Sequence, residues 1–182
     1  MTKYKNFYTF ISYFLLAAAG LLLDQVSKAW AVAELKPIRS VVLIDNIISL
    51  TYRENTGAAF SILEEHTEFL TVITIFVTLL LSYIVISGKI KNAVAEYALV
   101  FIAIGGVGNC IDRISLGYVV DMFEFTFINF AIFNVADIFV VCGSFYLIFY
   151  MLFEEHLNKS EAKKKILSVQ ELRKKDDEGC KK

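Results

Sequence analysis

The sequence predicts an all-α integral membrane protein: four transmembrane helices with a small extracytoplasmic segment that contains β-structure. Three observations carry this prediction. The 182 residues are 57% hydrophobic, with sixteen Phe and a single Pro, and mean hydropathy is +0.58; soluble domains are only about 45–50% apolar. Four stretches approach the length of about 20 apolar residues that a bilayer crossing needs. Basic residues gather in only some of the regions between and beyond those stretches, which orients the chain.

The spans run from about 7 to 23, 69 to 86, 93 to 111 and 130 to 153. The first could be mistaken for a cleaved leader, since Lys3 and Lys5 precede it and AAAG occupies 17–20. That small-residue run lies inside the apolar stretch, however, which continues through Leu23 before meeting Asp24, and a retained span is expected. The third span is the weakest, with Glu96 near its start and GGVGN at its end. Small residues of that kind also let helices approach closely.

Lys3 and Lys5 lie before span one, Lys89 and Lys91 between spans two and three, and Lys159, Lys163–Lys165, Arg173, Lys174, Lys175, Lys181 and Lys182 after span four. These regions are expected to be cytoplasmic, which turns 24–68 and 112–129 outward and keeps both termini inside. The organisation expected is one membrane domain, 1–157, and a charged cytoplasmic tail, 158–182. In that tail Lys and Glu alternate, which suits a solvated helix or a disordered end, with weak attraction to anionic lipid as the sharper alternative.

The outer segment 24–68 is too long for a simple connection. SVVLIDNIISLTY (40–52) is rich in Val, Ile and Leu and broken at Asp45-Asn46, so it reads as two short strands. EEHTE (64–68) reads as a short interfacial helix that opens span two. Cys110, Cys142 and Cys180 are an odd number without metal-ligand spacing, so neither a disulfide framework nor a metal site is expected.

Two aspartates stand out, Asp121 in GYVVDMFEF and Asp137 in FNVADIFVV. An ionisable group within a span costs roughly 2.5–3.5 kcal/mol on insertion scales, so it reads as functional and in need of a partner. Asp137 is expected roughly 10 Å into span four at 1.5 Å per residue, with Asn134 on the same helix face. Asp121 returns toward the same outer interface, where the two carboxyls can meet. If they do, repulsion leaves one protonated and one ionised. Such a pair can take a proton from water and polarise a peptide carbonyl without metal or a nucleophilic side chain. The plainer alternative has Asp137 bonding Asn134 or a helix end and Asp121 capping span four. The two residues alone leave both readings open.

Further polar groups lie toward the outer side. GNCIDR (108–113) offers Asn109, Asp112 and Arg113; the adjacent Asp112 and Arg113 must each find a partner elsewhere, for Arg113 a carboxylate or backbone carbonyls. In NTGAAF (55–60), Gly57 suits a tight turn and Asn55 could bond backbone or a peptide substrate. Asp24 and Lys28 are spaced i,i+4, as in ordinary helix-end pairing. Zinc chemistry would need HExxH, and His66 and His156 offer nothing of the kind; neither lies in a span, which also disfavours Ser-His chemistry. A small ion-coupled transporter using Asp137 remains an alternative, though the intramembrane polar groups all lie toward one side. A structural subunit whose carboxylates pair with a partner chain is the third reading.

DQVSK (24–28), ENTGAAFS (54–61), GNCIDR (108–113), GYVVD (117–121) and FNVAD (133–137), in this order and spacing, resemble the lipoprotein signal peptidase family, also called signal peptidase II. The resemblance spans most of 7–153. It implies that Asp121 and Asp137 are a catalytic dyad, that Asn55, Gly57, Asn109, Asp112, Arg113 and Asn134 line or support the site, and that Asp24 and Lys28 are a structural pair. It also implies an aspartic endopeptidase of the bacterial plasma membrane, with the site toward the outer face. The enzyme would remove signal peptides from diacylglyceryl-modified prolipoproteins by cutting just before the lipidated cysteine. No cofactor, metal or nucleic acid is implied; membrane lipids are the other partners, and one chain suffices. Two departures are visible: Met122 follows Asp121 where the family often has Phe, and the interval between the aspartates is short, which touches the shape of the loop over the site.

Overall fold

A computed structural model describes residues 7–57, 67–90 and 92–154. The tail 158–182, most of EEHTE, both histidines, and every basic residue used for orientation except Lys89 lie outside them. Among the described residues, four helices are long and apolar enough to cross a membrane: α1 Phe7–Ile38, α2 Thr67–Ile86, α3 Ala93–Leu116 and α4 Val135–Glu154. Large side chains such as Phe14, Phe76, Phe145 and Phe149 point outward, each more than 60% exposed. In a bundle of this composition that surface is suited to lipid.

The weak third span has a physical reason. α3 is the central helix: 56% of its apolar window is buried, against 6% for α2 and 17% for α1 and α4. Its Glu96 is buried and accepts a hydrogen bond from the Tyr13 hydroxyl of α1. Its glycines set helix spacing, as the GGVGN run suggested. A Cβ on Gly105 would fall 2.2 Å from the Ala136 carbonyl oxygen of α4, and one on Gly108 would fall 2.6 Å from the Asp24 carboxylate of α1. Asn92 caps the start of α3 by accepting the Val94 and Ala95 N–H groups, and Gly117, at φ 82°, ends it.

The helix boundaries differ from the expected spans. α1 does not stop near 23; it continues to Ile38 through a π-helical turn at Ala31–Leu35. At 1.5 Å per residue its 32 residues reach about 48 Å, well beyond a hydrocarbon core of about 30 Å. The overhang has a packing partner: Ala31 and Leu35 are buried with Tyr52, Val120 and Met122. α3 likewise extends past 111 to Leu116, and α4 starts at Val135 rather than 130.

That partner is a three-stranded antiparallel sheet, β1 Ser40–Ile44, β2 Ile48–Asn55 and β3 Val119–Phe125, in the order β1-β2-β3. β1 and β2 are the expected hairpin, turning at Asp45-Asn46 with Asn46 at φ 57°. β3 lies in the outer segment 112–129, for which no strand is expected because its apolar run lacks a clean alternation. Its register pairs Asn55 with Val119 and Arg53 with Asp121. Beyond β3 the chain doubles back, and Phe133 exchanges backbone hydrogen bonds with Phe123 and Met122 at 2.8–3.0 Å. This clamp brings the start of α4 beside β3. Met122, the departure noted in the sequence, is 1% exposed and fills the core under the sheet.

Candidate active site

Asn134 touches both aspartates. As the N-cap of α4, its Oδ1 accepts the Asp137 N–H at 3.0 Å, while its own N–H donates to Asp137 Oδ2 at 3.1 Å. This is the reciprocal geometry of a capping box built from Asn and Asp. The side-chain amide of Asn134 then donates to Asp121 Oδ1 at 2.7 Å. Asp137 is therefore the third residue of α4, in its first turn, rather than about 10 Å inside a span. The plainer alternative is half right: Asp137 does bond Asn134 and a helix end, and in doing so it is held next to Asp121.

Each of the four carboxyl oxygens accepts one N–H. Asp121 Oδ2 takes Asn55 Nδ2 at 2.9 Å, and Asp137 Oδ1 takes Asn109 Nδ2 at 2.8 Å. The orientation of both amides is fixed from the other side. Asn55 Oδ1 accepts the Gly57 N–H at 2.9 Å in an Asx turn, and Asn109 Oδ1 accepts both Asn134 Nδ2 at 3.0 Å and Lys28 Nζ at 2.9 Å. Asp121 is 1% exposed. Burial first, and then the charge of Asp137, pushes its carboxyl up to about 7, against the pull of the Asn55 and Asn134 donors and Lys28.

Asp24 and Lys28 were expected as a helix-end pair. They lie instead in the middle of α1, fully buried, and Lys28 Nζ binds two carboxylates, Asp24 at 3.0 Å and Asp112 at 3.1 Å. Asp24 also accepts the Ala136 N–H at 2.9 Å, tying α1 to the N-terminus of α4. Asp112 accepts the Val120 N–H at 3.1 Å, next to Asp121. None of the three lines the cavity beside the dyad; they form a layer behind it. Gln25 completes this layer, donating to Asp24 and Asp112 at 3.1 Å and to the Gly108 carbonyl at 3.3 Å. Sequence reasoning passed over Gln25, although its place inside DQVSK was the available signal.

Arg113 finds the backbone partner expected of it, the Gly57 carbonyl at 3.0 Å. Its Nε is buried without a hydrogen-bond partner among the described residues. With Asn55, Asn109 and the two aspartates it forms the polar floor of a cavity of about 460 Å³. The opposite wall is apolar, with Phe125, Phe130, Phe133, Ile138 and Val141 prominent. That aromatic wall was also missed, because Phe is spread along the whole chain. A carboxyl pair that shares a proton, beside a floor of donors and an apolar wall, can activate water against a peptide carbonyl.

Comparison with known proteins places the chain in a family. Residues 16–153 match the family model described as signal peptidase (SPase) II. The lipoprotein signal peptidase of Enterococcus faecalis is 40% identical over 149 residues, covering 82% of this chain and 92% of that protein. That of Caldanaerobacter subterraneus is 43% identical over 139 residues, covering 76% and 94%. Among solved structures, a bacterial membrane enzyme determined by the in meso method at 2.3 Å superposes with a TM-score of 0.74 at 30% identity, over 79% of this chain and 89% of that one. A second, at 1.9 Å, gives 0.70 at 31% identity, over 78% and 92%. The chain belongs to the signal peptidase II family, a family of membrane peptidases.

Proposed function

We propose that this chain is a lipoprotein signal peptidase of the aspartic type, with Asp121 and Asp137 as the reacting pair. The observation that carries the reading is Asn134, one residue hydrogen-bonded to both carboxyls. A carboxyl pushed up to about 7 next to a second carboxyl keeps one proton on the pair near neutral pH. The ionised carboxylate takes a proton from water as the water oxygen attacks the scissile carbonyl carbon. The protonated carboxyl gives its proton to the carbonyl oxygen, producing a neutral gem-diol. On collapse one diol hydroxyl returns its proton to a carboxylate, the C–N bond breaks, and the other carboxyl protonates the departing nitrogen. The pair ends with one proton, as it began. Asn55 and Arg113, on the cavity floor, are positioned to bind the peptide backbone, and Gly57 holds Arg113 in place.

The substrate proposed is a prolipoprotein that carries a diacylglyceryl group on its lipobox cysteine and is cut just before it. The apolar cavity wall suits acyl chains, each buried CH₂ being worth about 0.8 kcal/mol. The wall adjoins α4, whose outward Phe145 and Phe149 suit lipid, so a membrane-anchored substrate can arrive sideways from the bilayer. Both termini are placed in the cytoplasm and the sheet with its cavity at the outer face, on the distribution of Lys and Arg. One chain supplies every group used, so a monomer is the working unit. The test is cleavage of a lipidated precursor, and of its non-lipidated form, by the purified full-length protein. Cleavage of both forms at equal kcat/KM would overturn the substrate assignment.

A further inference from the structure

Two buried carboxylates behind the cavity each anchor the backbone one residue before an aspartate of the proposed pair. Asp24 Oδ1 accepts the Ala136 N–H at 2.9 Å, just before Asp137. Asp112 Oδ2 accepts the Val120 N–H at 3.1 Å, just before Asp121. Asp24 belongs to α1 and Asp112 to α3, while the anchored peptides belong to α4 and β3. Whatever holds Asp24 and Asp112 relative to one another therefore also sets how far apart Asp121 and Asp137 sit.

Two side chains of α1 span that gap. Lys28 Nζ reaches Asp24 Oδ2 and Asp112 Oδ2, but an ammonium is a point charge with rotatable donors and tolerates a range of angles. Gln25 is directional. Its Nε2 donates to Asp24 Oδ2 and to Asp112 Oδ1 at 3.1 Å each and reaches the Gly108 carbonyl at 3.3 Å. Three acceptors around one nitrogen leave no place there for the amide oxygen, so the orientation of the amide is fixed. Lys28 and the Val120 N–H both engage Asp112 Oδ2. Gln25 holds the other oxygen and stops this carboxylate from turning about its Cβ–Cγ bond. Among the described residues, the lining of the dyad cavity includes Asp121 and Asp137 but not Gln25.

We propose that Gln25 is a positioning residue for peptide cleavage: by joining the Asp24 and Asp112 carboxylates, it sets the separation of Asp121 and Asp137 without touching either. The role rests on the aspartic reading proposed above. Separation matters because two carboxyls share one proton only while they are close enough to repel. The charged groups facing Asp121 are Asp137 of α4, Lys28 of α1, Arg113 of α3 and, by register, Arg53 of β2, with Asp24 and Asp112 behind them. Gln25 is neutral, so replacing it changes none of these charges, only where they are held.

The experiment is steady-state cleavage of a diacylglyceryl-modified precursor across pH by the purified full-length protein and its Gln25→Met variant. Met keeps the length of the side chain and removes its N–H groups. Gly88→Ala, at the other end of the bundle, is the control for lost stability alone. Gln25→Met is expected to lower kcat about tenfold to a hundredfold, the scale of a misplacement of about 1 Å, with KM nearly unchanged. The alkaline limb of kcat/KM should move to lower pH, because carboxyls held farther apart release the shared proton more readily. A lost donor to Asp121 would move it the other way. Gly88→Ala should alter neither kcat nor the limb. Wild-type kcat in folded Gln25→Met, a limb that stays in place or rises, or a KM increase that accounts for the loss would each overturn the proposal. Should Gln25→Met not fold, Gln25→Asn keeps the amide one methylene short of its acceptors and is read by the same criteria. Cleavage that survives Asp121→Asn or Asp137→Asn would fail the aspartic reading itself. Loss in those two with an unaffected Gln25→Met would fail only the role of Gln25.

Discussion

Lys28 Nζ lies 2.9 Å from Asn109 Oδ1, and this contact links a buried charge cluster to the proposed reacting pair. An amide oxygen engaged by an ammonium cannot turn away, so Asn109 Nδ2 stays aimed at Asp137. Lys28 also offsets Asp24 and Asp112. Removing one partner of a buried ion pair is typically destabilising by about 3–5 kcal/mol. Lys28→Met is expected to lower stability by about that much, read as thermal or denaturant unfolding in detergent. Asp112→Asn leaves Lys28 with Asp24 and should cost clearly less; an equal or larger loss would contradict this account of the cluster.

Asn134 makes its separate bonds with the two aspartates from one side chain and one backbone N–H. Asn134→Ala removes the cap and the donor to Asp121 together. The expected outcome is a fall in kcat of about two to three orders of magnitude, the scale seen for a lost preorganised donor, with KM changed little. A variant that keeps more than about a tenth of wild-type kcat would show that the bridge is not needed.

The elevated Asp121 carboxyl gives a pH prediction. The proposed mechanism needs one proton on the pair, so kcat/KM should fall on the alkaline side with an inflection near 7. Asn55 pulls this carboxyl down by donating to its charged form. Asn55→Ala should therefore move the alkaline limb to higher pH while lowering the maximum rate. Stability follows the same sign. Between the ordinary carboxylate range near about 4 and about 7, the folded chain holds a proton that the unfolded chain has lost. Stability should then decline as pH rises through that window and level off above it. Asp121→Asn should flatten this slope, which a series of unfolding measurements across pH would record.

Helix spacing is a separate claim. Gly105 meets the backbone of α4, with a hypothetical Cβ 2.2 Å from the Ala136 carbonyl oxygen. Among the described residues a Cβ on Gly88 would meet nothing within 4 Å, and its constraint is φ 64°. Gly105→Ala should lose stability by about 1–3 kcal/mol through overpacking and lower activity as well, since α4 carries Asp137. Gly88→Ala should lose about 1–2 kcal/mol through its left-handed backbone without altering kcat. Equal losses of activity in both would contradict the positional role of Gly105.

Much of this architecture was legible in sequence, for identifiable reasons. Spans are visible because lipid demands long apolar runs, and the hairpin at Asp45-Asn46 because a turn interrupts two β-branched stretches. Asp121 and Asp137 are visible because carboxyls are costly there. β3 was not, since VVDMFEF lies between a basic helix end and a Phe-rich stretch and pairs with residues about 70 positions away, as Asp121 does with Arg53. The overhang of α1 was missed because Asp24 and Lys28 look like a helix end. Only tertiary packing, with two carboxylates around one ammonium, lets them sit mid-helix. Gln25 was missed because a lone amide carries no signal until its three acceptors are known.

The central claim is that two carboxyls, one proton and water cleave the peptide. The most direct measurement is turnover of a diacylglyceryl-modified precursor by purified full-length protein carrying Asp121→Asn or Asp137→Asn, with circular dichroism and thermal unfolding as folding controls. Each variant should insert and fold, and each should lose cleavage by at least about four orders of magnitude, the scale at which carboxylate-to-amide changes disable catalytic sites. Substantial cleavage by either folded variant would show that the pair joined by Asn134 is not the reacting centre.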